Sequence, residues 1–178
     1  MSPQALLNRF RPRPVTLILL GLVVYLWFRP PAWVDALDQP APDVPIGEGR
    51  RLADWRGRVV LVNFWATWCP YCRHEMPAMQ SYYQDHRHCG FDILALSLDD
   101  DPQVVARYMR EQGYTFPATL ALPGVAAAFG GVDRLPTSFV IDRAGRIRHK
   151  VSGQVHYARL ERLVSPLLGS CPRPAAAR

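Results

Sequence analysis

Two cysteines separated by two residues, Cys69-Pro70-Tyr71-Cys72, carry the clearest chemistry in this 178-residue sequence. A C-x-x-C pair can cycle between dithiol and disulfide, or it can supply two metal ligands. A structural zinc site needs a second ligand pair at workable spacing. The nearest group, His86, His88 and Cys89, does not offer one, so no metal is assigned. Redox exchange fits better, because a β-rich apolar run (58–65) leads into the pair and a helical stretch (70–86) comes after it. Cys69 then opens a helix, where unpaired N–H groups and the positive end of the helix dipole favour thiolate over thiol. That makes Cys69 the expected nucleophile. Cys72, one turn further in, is shielded and is expected to resolve the mixed disulfide. Pro70 sits where a helix needs no N–H donor.

Other candidates surround the pair. Glu75 lies three residues after Cys72 on the same helical face, where a buried carboxylate can relay a proton. Its bland alternative is a first-turn Glu favoured by the dipole. Trp65 and Trp68 are expected to frame the site, with Trp65 alternatively plain core. His74 points to a different face and reads as solvated. Asp99-Asp100-Asp101 reads as a helix-start turn rather than a metal site.

The elements that position these residues follow from periodicity and punctuation. Residues 58–65 and 91–98 are too continuously apolar for half-exposed strands and read as buried central ones. Pro77 is expected to kink the helix over 70–86. Asp101 can cap a helix over 102–112, with Val104, Val105, Tyr108 and Met109 on one face. A short strand (117–122) and a short helix (125–129) ended by Gly130-Gly131 come next. Strands over 137–142 and 147–152 are joined by a tight Asp-Arg-Ala-Gly turn. A helix over about 156–168 closes the domain, with Leu160, Leu163, Val164 and Leu167 facing inward. The order β-α-β-α-β-α-β-β-α predicts an α/β fold, a mixed sheet covered by helices on both faces.

Composition narrows the function classes. Hydrophobic residues make up 49% and charged residues 20%, enough for a core and incompatible with a wholly disordered chain. The net charge is +6, but Arg9, Arg11, Arg13 and Arg29 stand in residues 1–29 without an acid. Removing those four from 21 basic residues leaves 17 against 15 acidic ones, so no nucleic-acid surface is implied. Residues 15–28 are uncharged and come after three arginines, which predicts a cytoplasmic N-terminus and export of the chain beyond residue 29. The run covers about 21 Å of a roughly 30 Å hydrocarbon core. A cleaved signal has that length, but Val34-Asp35-Ala36 is a poor cleavage site, so an uncleaved signal anchor is expected. Tyr25, Trp27 and Trp33 read as interfacial anchors, and Arg13 and Arg29 can snorkel. The expected organisation is a cytoplasmic N-terminus and anchor (1–29), a linker with five prolines (30–45), a compact domain (46–169) and a loose tail (170–178).

The run Phe64-Trp65-Ala66-Thr67-Trp68-Cys69-Pro70-Tyr71-Cys72 resembles the active site of thioredoxin-fold oxidoreductases. Arg73-His74-Glu75-Met76-Pro77 after it is similar to the exported TlpA/ResA-like branch, which includes cytochrome c maturation proteins. Leu135-Pro136-Thr137-Ser138-Phe139-Val140-Ile141-Asp142 resembles that branch's second signature. The resemblance covers about residues 46–168, including an insertion over 99–125 between the central strands. It implies a membrane-tethered thiol–disulfide oxidoreductase acting as a reductant outside the cytoplasm. It further implies that Pro136 is a cis proline facing the site, leaving backbone groups of Leu135 open to a substrate strand. By the same resemblance Glu75 tunes the cysteine pair. Asn63 departs from the buried Asp of many cytoplasmic thioredoxins, and an amide cannot serve as that acid or base, so Glu75 is the carboxylate to expect.

The expected function is reduction of disulfides in exported proteins such as apocytochrome c. The domain would lie in the bacterial periplasm on a single-pass inner-membrane anchor and be recharged by a membrane thiol–disulfide electron donor. Trp68, Pro70, Tyr71, Leu135 and Pro136 would meet the substrate, and no cofactor is called for. The alternatives are a disulfide-forming oxidase and a Cu(I)-binding chaperone using the same cysteines. A peroxidase is disfavoured, because Ala66 stands three residues before Cys69 in place of Thr or Ser. Cys89 and Cys171, at the pole away from Cys69, are expected to form a structural disulfide.

Overall fold

The computed structural model describes residues 14–28 and 33–170, and the chain divides into two units, Met1–Pro31 and Ala32–Arg178. The first holds helix α1 (Pro14–Phe28), 15 residues without a charged side chain. At 1.5 Å per residue it is about 22 Å long. Among the described residues no helix is long and apolar enough to cross a membrane.

The second unit is built on strands β1 (Trp33–Pro40), β4 (Val59–Trp65), β5 (Phe91–Ser97), β6 (Ala118–Leu120), β7 (Thr137–Ile141) and β8 (Arg146–Ser152). A small ribbon, β2 (Pro45–Gly47) with β3 (Arg50–Arg51), stands apart from them. The helices are α2 (Pro70–His86), α3 (Pro102–Gln112), α4 (Val125–Ala128) and α5 (Tyr157–Leu168). The six-stranded order is β1-β8-β7-β4-β5-β6. β4, β5 and β6 run parallel, while β7, β8 and β1 add antiparallel on the other side. This mixed sheet flanked by helices is the thioredoxin fold.

Alternation along β4 assigns its side chains to two apolar layers. Val59, Leu61 and Trp65 pack with Met76, Met79 and Tyr82 of α2 and Leu160, Leu163 and Val164 of α5. Val60, Val62 and Phe64 pack on the opposite face with Phe139, Phe129 and Val125. Every β4 residue is buried, as its continuous apolar run requires. Asn63 shares parity with Leu61 and Trp65, so it faces α2. α2 continues through Pro77, and Ser81 Oγ donates to the Pro77 carbonyl at 3.0 Å. Asp101 caps α3, its carboxylate accepting from the Gln103 N–H at 2.8 Å. The β7–β8 turn is held by Asp142 Oδ1, which accepts from the N–H groups of Ala144 and Arg146 at 3.0 Å each, with Gly145 at φ 79°.

Residues 30–45 do not form a linker throughout. The sheet begins at Trp33, because β1 pairs antiparallel with β8 from Trp33↔Ser152 to Pro40↔Arg146. Proline is tolerated there because β1 is an edge strand with one unpaired side. Arg146 clasps it through Asp38, by a 2.6 Å ion pair and a 2.8 Å bond to the Asp38 carbonyl. The compact unit therefore starts about a dozen residues before position 46. Cys171 and the rest of the tail beyond Ser170 lie outside the described residues, as do Arg9, Arg11, Arg13 and Arg29.

Candidate active site

Strand register gathers the candidate residues at one edge of the sheet. β4 ends at Trp65, level with Ser97 of β5, and Thr137 of β7 lies opposite both Phe64 and Ser152. The segments 66–69, 98–99, 135–136 and 153–155 therefore all emerge at the same edge.

Cys69 is the N-cap of α2, with extended backbone (φ −87°, ψ 110°), and Pro70 occupies the first turn. Cys69 and Cys72 form a disulfide with Cα atoms 5.3 Å apart. The Cys72 N–H donates to Cys69 Sγ at 3.2 Å, the bond a helix-start thiolate would accept. Cys69 is 5% exposed and Cys72 0%, so both are buried and Cys69 is the more accessible of the two. Trp68 and Tyr71 stand out beside the pair, 65% and 49% exposed. The Leu135–Pro136 bond is cis, Pro136 is buried, and its carbonyl accepts from Gly153 N–H at 2.8 Å. Leu135 is half-buried and packs against both apolar layers.

Trp65 lies in the apolar cluster that also holds Cys69 and Cys72, in keeping with its core alternative. It is fully buried, and its ring lies 5.6 Å from that of Tyr108. Its parity in β4 sends it into the core. His74 is exposed.

Glu75 is 2% exposed, and both its carboxylate oxygens accept hydrogen bonds. Asn63 Nδ2 donates to Oε1 at 2.8 Å, and the Val155 N–H donates to Oε2 at 2.6 Å. Burial pushes its pKa up to about 8, against the pull of those two donors and of the Arg159 charge. Glu75 lies beyond the first turn of α2, so the reading of a first-turn Glu favoured by the dipole does not apply. A group titrating near neutrality can both take and give a proton at working pH.

Three further side chains shape the edge. Asp99 accepts from Thr67 N–H at 2.9 Å, from Thr67 Oγ at 2.7 Å and from Ser97 Oγ at 2.5 Å, and so ties down the approach to Cys69. It is a brace between strand ends, while Asp101 alone caps the helix. Gln154 reaches the Tyr71 carbonyl. Asn63 also donates to Ser138 Oγ at 2.9 Å. Asn63 and the acidic run 99–101 stood out in the sequence, though not for these contacts, and nothing local marks Gln154 or Val155.

With that geometry in hand, comparison with known proteins gives a consistent result. A family model described as the AhpC/TSA family matches residues 36–150. The thiol-disulfide oxidoreductase ResA of Geobacillus thermodenitrificans (strain NG80-2) is 35% identical over 154 residues, 82% of this chain and 88% of that protein. ResA of Bacillus thuringiensis subsp. konkukian (strain 97-27) is 30% identical over 162 residues, 86% of this chain and 94% of that one. The crystal structure of a thiol:disulfide interchange protein of the thioredoxin family from Chlorobium tepidum TLS is 35% identical, with a TM-score of 0.67. It covers 76% of this chain and 99% of its own.

Proposed function

The chain belongs to the AhpC/TSA family as a thioredoxin-fold thiol–disulfide oxidoreductase, and from that premise we propose that it reduces disulfides of exported proteins, such as apocytochrome c, through Cys69 and Cys72. In the reduced enzyme the Cys69 thiolate attacks one sulfur of a substrate disulfide. One substrate thiolate leaves and a mixed disulfide forms. Cys72, losing its proton, then attacks Cys69 Sγ, releases the second substrate thiolate and leaves the Cys69–Cys72 disulfide. Two electrons pass to the substrate, and a membrane thiol–disulfide donor returns them. Glu75, one turn beyond Cys72 on α2, is the group proposed to accept the Cys72 proton. Trp68, Pro70, Tyr71 and Leu135, beside the buried Pro136, are the residues proposed to meet the substrate.

The location comes from the same reading. The uncharged stretch between Arg13 and Arg29 supports a single-pass inner-membrane anchor with the catalytic unit in the periplasm. With flanking arginines snorkelling, a run somewhat shorter than the hydrocarbon core can still anchor.

The observation that carries the chemistry is the asymmetry of the pair: Cys69 caps the start of α2, and Cys72 lies one turn further in with no exposed surface. Trapping tests it. Cys72→Ser should accumulate mixed disulfides with exported proteins and Cys69→Ser should not; equal trapping by both variants overturns the assignment. Mature protein released by osmotic shock, with a new N-terminus near Leu37, would refute the anchor.

A further inference from the structure

Asn63 is fully buried in the middle of β4, and its amide is satisfied at one end only. Nδ2 donates to Glu75 Oε1 at 2.8 Å and to Ser138 Oγ at 2.9 Å. Oδ1 is buried with no partner among the described residues. A buried carbonyl left unpaired is destabilising, and an apolar side chain of similar size would avoid that penalty. Leu61 and Trp65, the same-face neighbours of Asn63, are apolar. The amide therefore answers a need other than packing.

The need is visible at Glu75. Its Oε2 meets the Val155 N–H at 2.6 Å, a group that can only donate, so Oε2 remains an acceptor in either charge state. Asn63 donates to Oε1, and a hydrogen bond donated to a carboxylate favours its charged form, so Asn63 opposes proton uptake. The charged group that faces Glu75 is Arg159 of α5, and it acts in the same direction. Ser138, the second partner of Asn63, lies two residues after Pro136, in the strand just beyond the cis bond.

We propose that Asn63 is a positioning residue for thiol–disulfide exchange, holding Oε1 of Glu75 ready to accept a proton and tying that oxygen to the strand just beyond Pro136. The proposal rests on the reading of Glu75 as the proton-handling group.

The test is the pH dependence of Cys69 alkylation by iodoacetamide in the reduced full-length protein. Glu75→Gln identifies the inflection that belongs to Glu75. Asn63→Leu should move that inflection to higher pH by about one unit, because burial then acts with one donor fewer. Asn63→Asp, nearly isosteric, sets a second carboxylate against Oε1 and should move it further in the same direction. It keeps the test decisive if the leucine variant does not fold. An inflection left at the wild-type pH in the folded Asn63 variants, while Glu75→Gln abolishes it, overturns the proposal alone. A Glu75→Gln profile identical to wild type overturns the reading of Glu75, and the proposal with it.

Discussion

Gln154 donates from Nε2 to the backbone carbonyl of Tyr71 at 2.9 Å, tying the β8–α5 connection to the dipeptide between the two cysteines. The next N–H along that connection, Val155, holds Glu75. Two consecutive residues thus touch the cysteine loop and the buried carboxylate, and Arg159 steadies them by donating to the Gln154 carbonyl. Gln154→Ala removes one exposed hydrogen bond and should cost no more than about 1 kcal/mol of stability. Exchange with a model disulfide should nevertheless slow several-fold. Urea denaturation and stopped-flow exchange on the same variant separate the two effects, and an unchanged rate would make the contact purely structural.

Glu75 makes stability depend on pH in a defined direction. Its pKa rises on folding, from the ordinary 4.5 to about 8, so between those values the native state holds a proton that the unfolded chain has released. Stability from this group is therefore greatest below about pH 4.5, declines as pH rises to about 8, and is flat above. Glu75→Gln removes the slope. Urea midpoints at pH 5, 7 and 9 should show the variant gaining on wild type as pH rises, while its exchange rate falls about tenfold or more. Parallel pH curves for the two proteins would contradict the account.

Asp99 braces the approach to Cys69 through two bonds to Thr67 and one to Ser97. Asp99→Ala leaves the Thr67 N–H without its acceptor and should destabilise the domain by about 2 kcal/mol, since bonds to a charged group are worth about 1.5–3 kcal/mol each before solvent exposure is discounted. Asp99→Asn, which keeps an acceptor, should recover part of that loss. Chemical denaturation of both variants checks the order.

The pole opposite the active site is organised by Arg143. Its Nη2 donates to the Cys89 carbonyl at 2.9 Å and to the Leu168 carbonyl at 3.3 Å, and its Nη1 to that of Gly57 at 2.8 Å. One guanidinium nitrogen thus brings Cys89 close to the end of α5, three residues before Cys171. Among the described residues no cysteine is free. The expected Cys89–Cys171 bridge would close a loop of about 80 residues, stabilising by ~4 kcal/mol in the chain-entropy model and by less in practice. Peptide mapping of non-reduced protein should find the pair, and Cys171→Ser should lower the urea midpoint. A Cys171 open to alkylation in oxidised protein ends the idea.

What the chain encodes locally was readable along it. The continuous apolar runs that became β4 and β5, Asp101 before α3, Cys69 and Pro70 at the start of α2, and the Asp142–Gly145 turn all rest on interactions within a few residues. The C-x-x-C spacing on a helix start already specified redox chemistry, and the placement of Glu75 three residues later put a carboxyl on the right face. Composition misled where a partner was distant. Five prolines over 30–45 suggested a linker, yet β1 exists because β8, more than 100 residues later, offers it a pairing edge. Trp65 could be read as frame or as core, and strand parity with the packing of Tyr108 places it in the core layer that also holds the cysteines. The burial of Glu75 and its donors from Asn63 and Val155, 12 and 80 residues away, likewise come only from closing α2 and α5 over the sheet. A carboxyl acquires a shifted pKa from the water it loses and the dipoles that replace it, and both are set by tertiary neighbours rather than by sequence spacing.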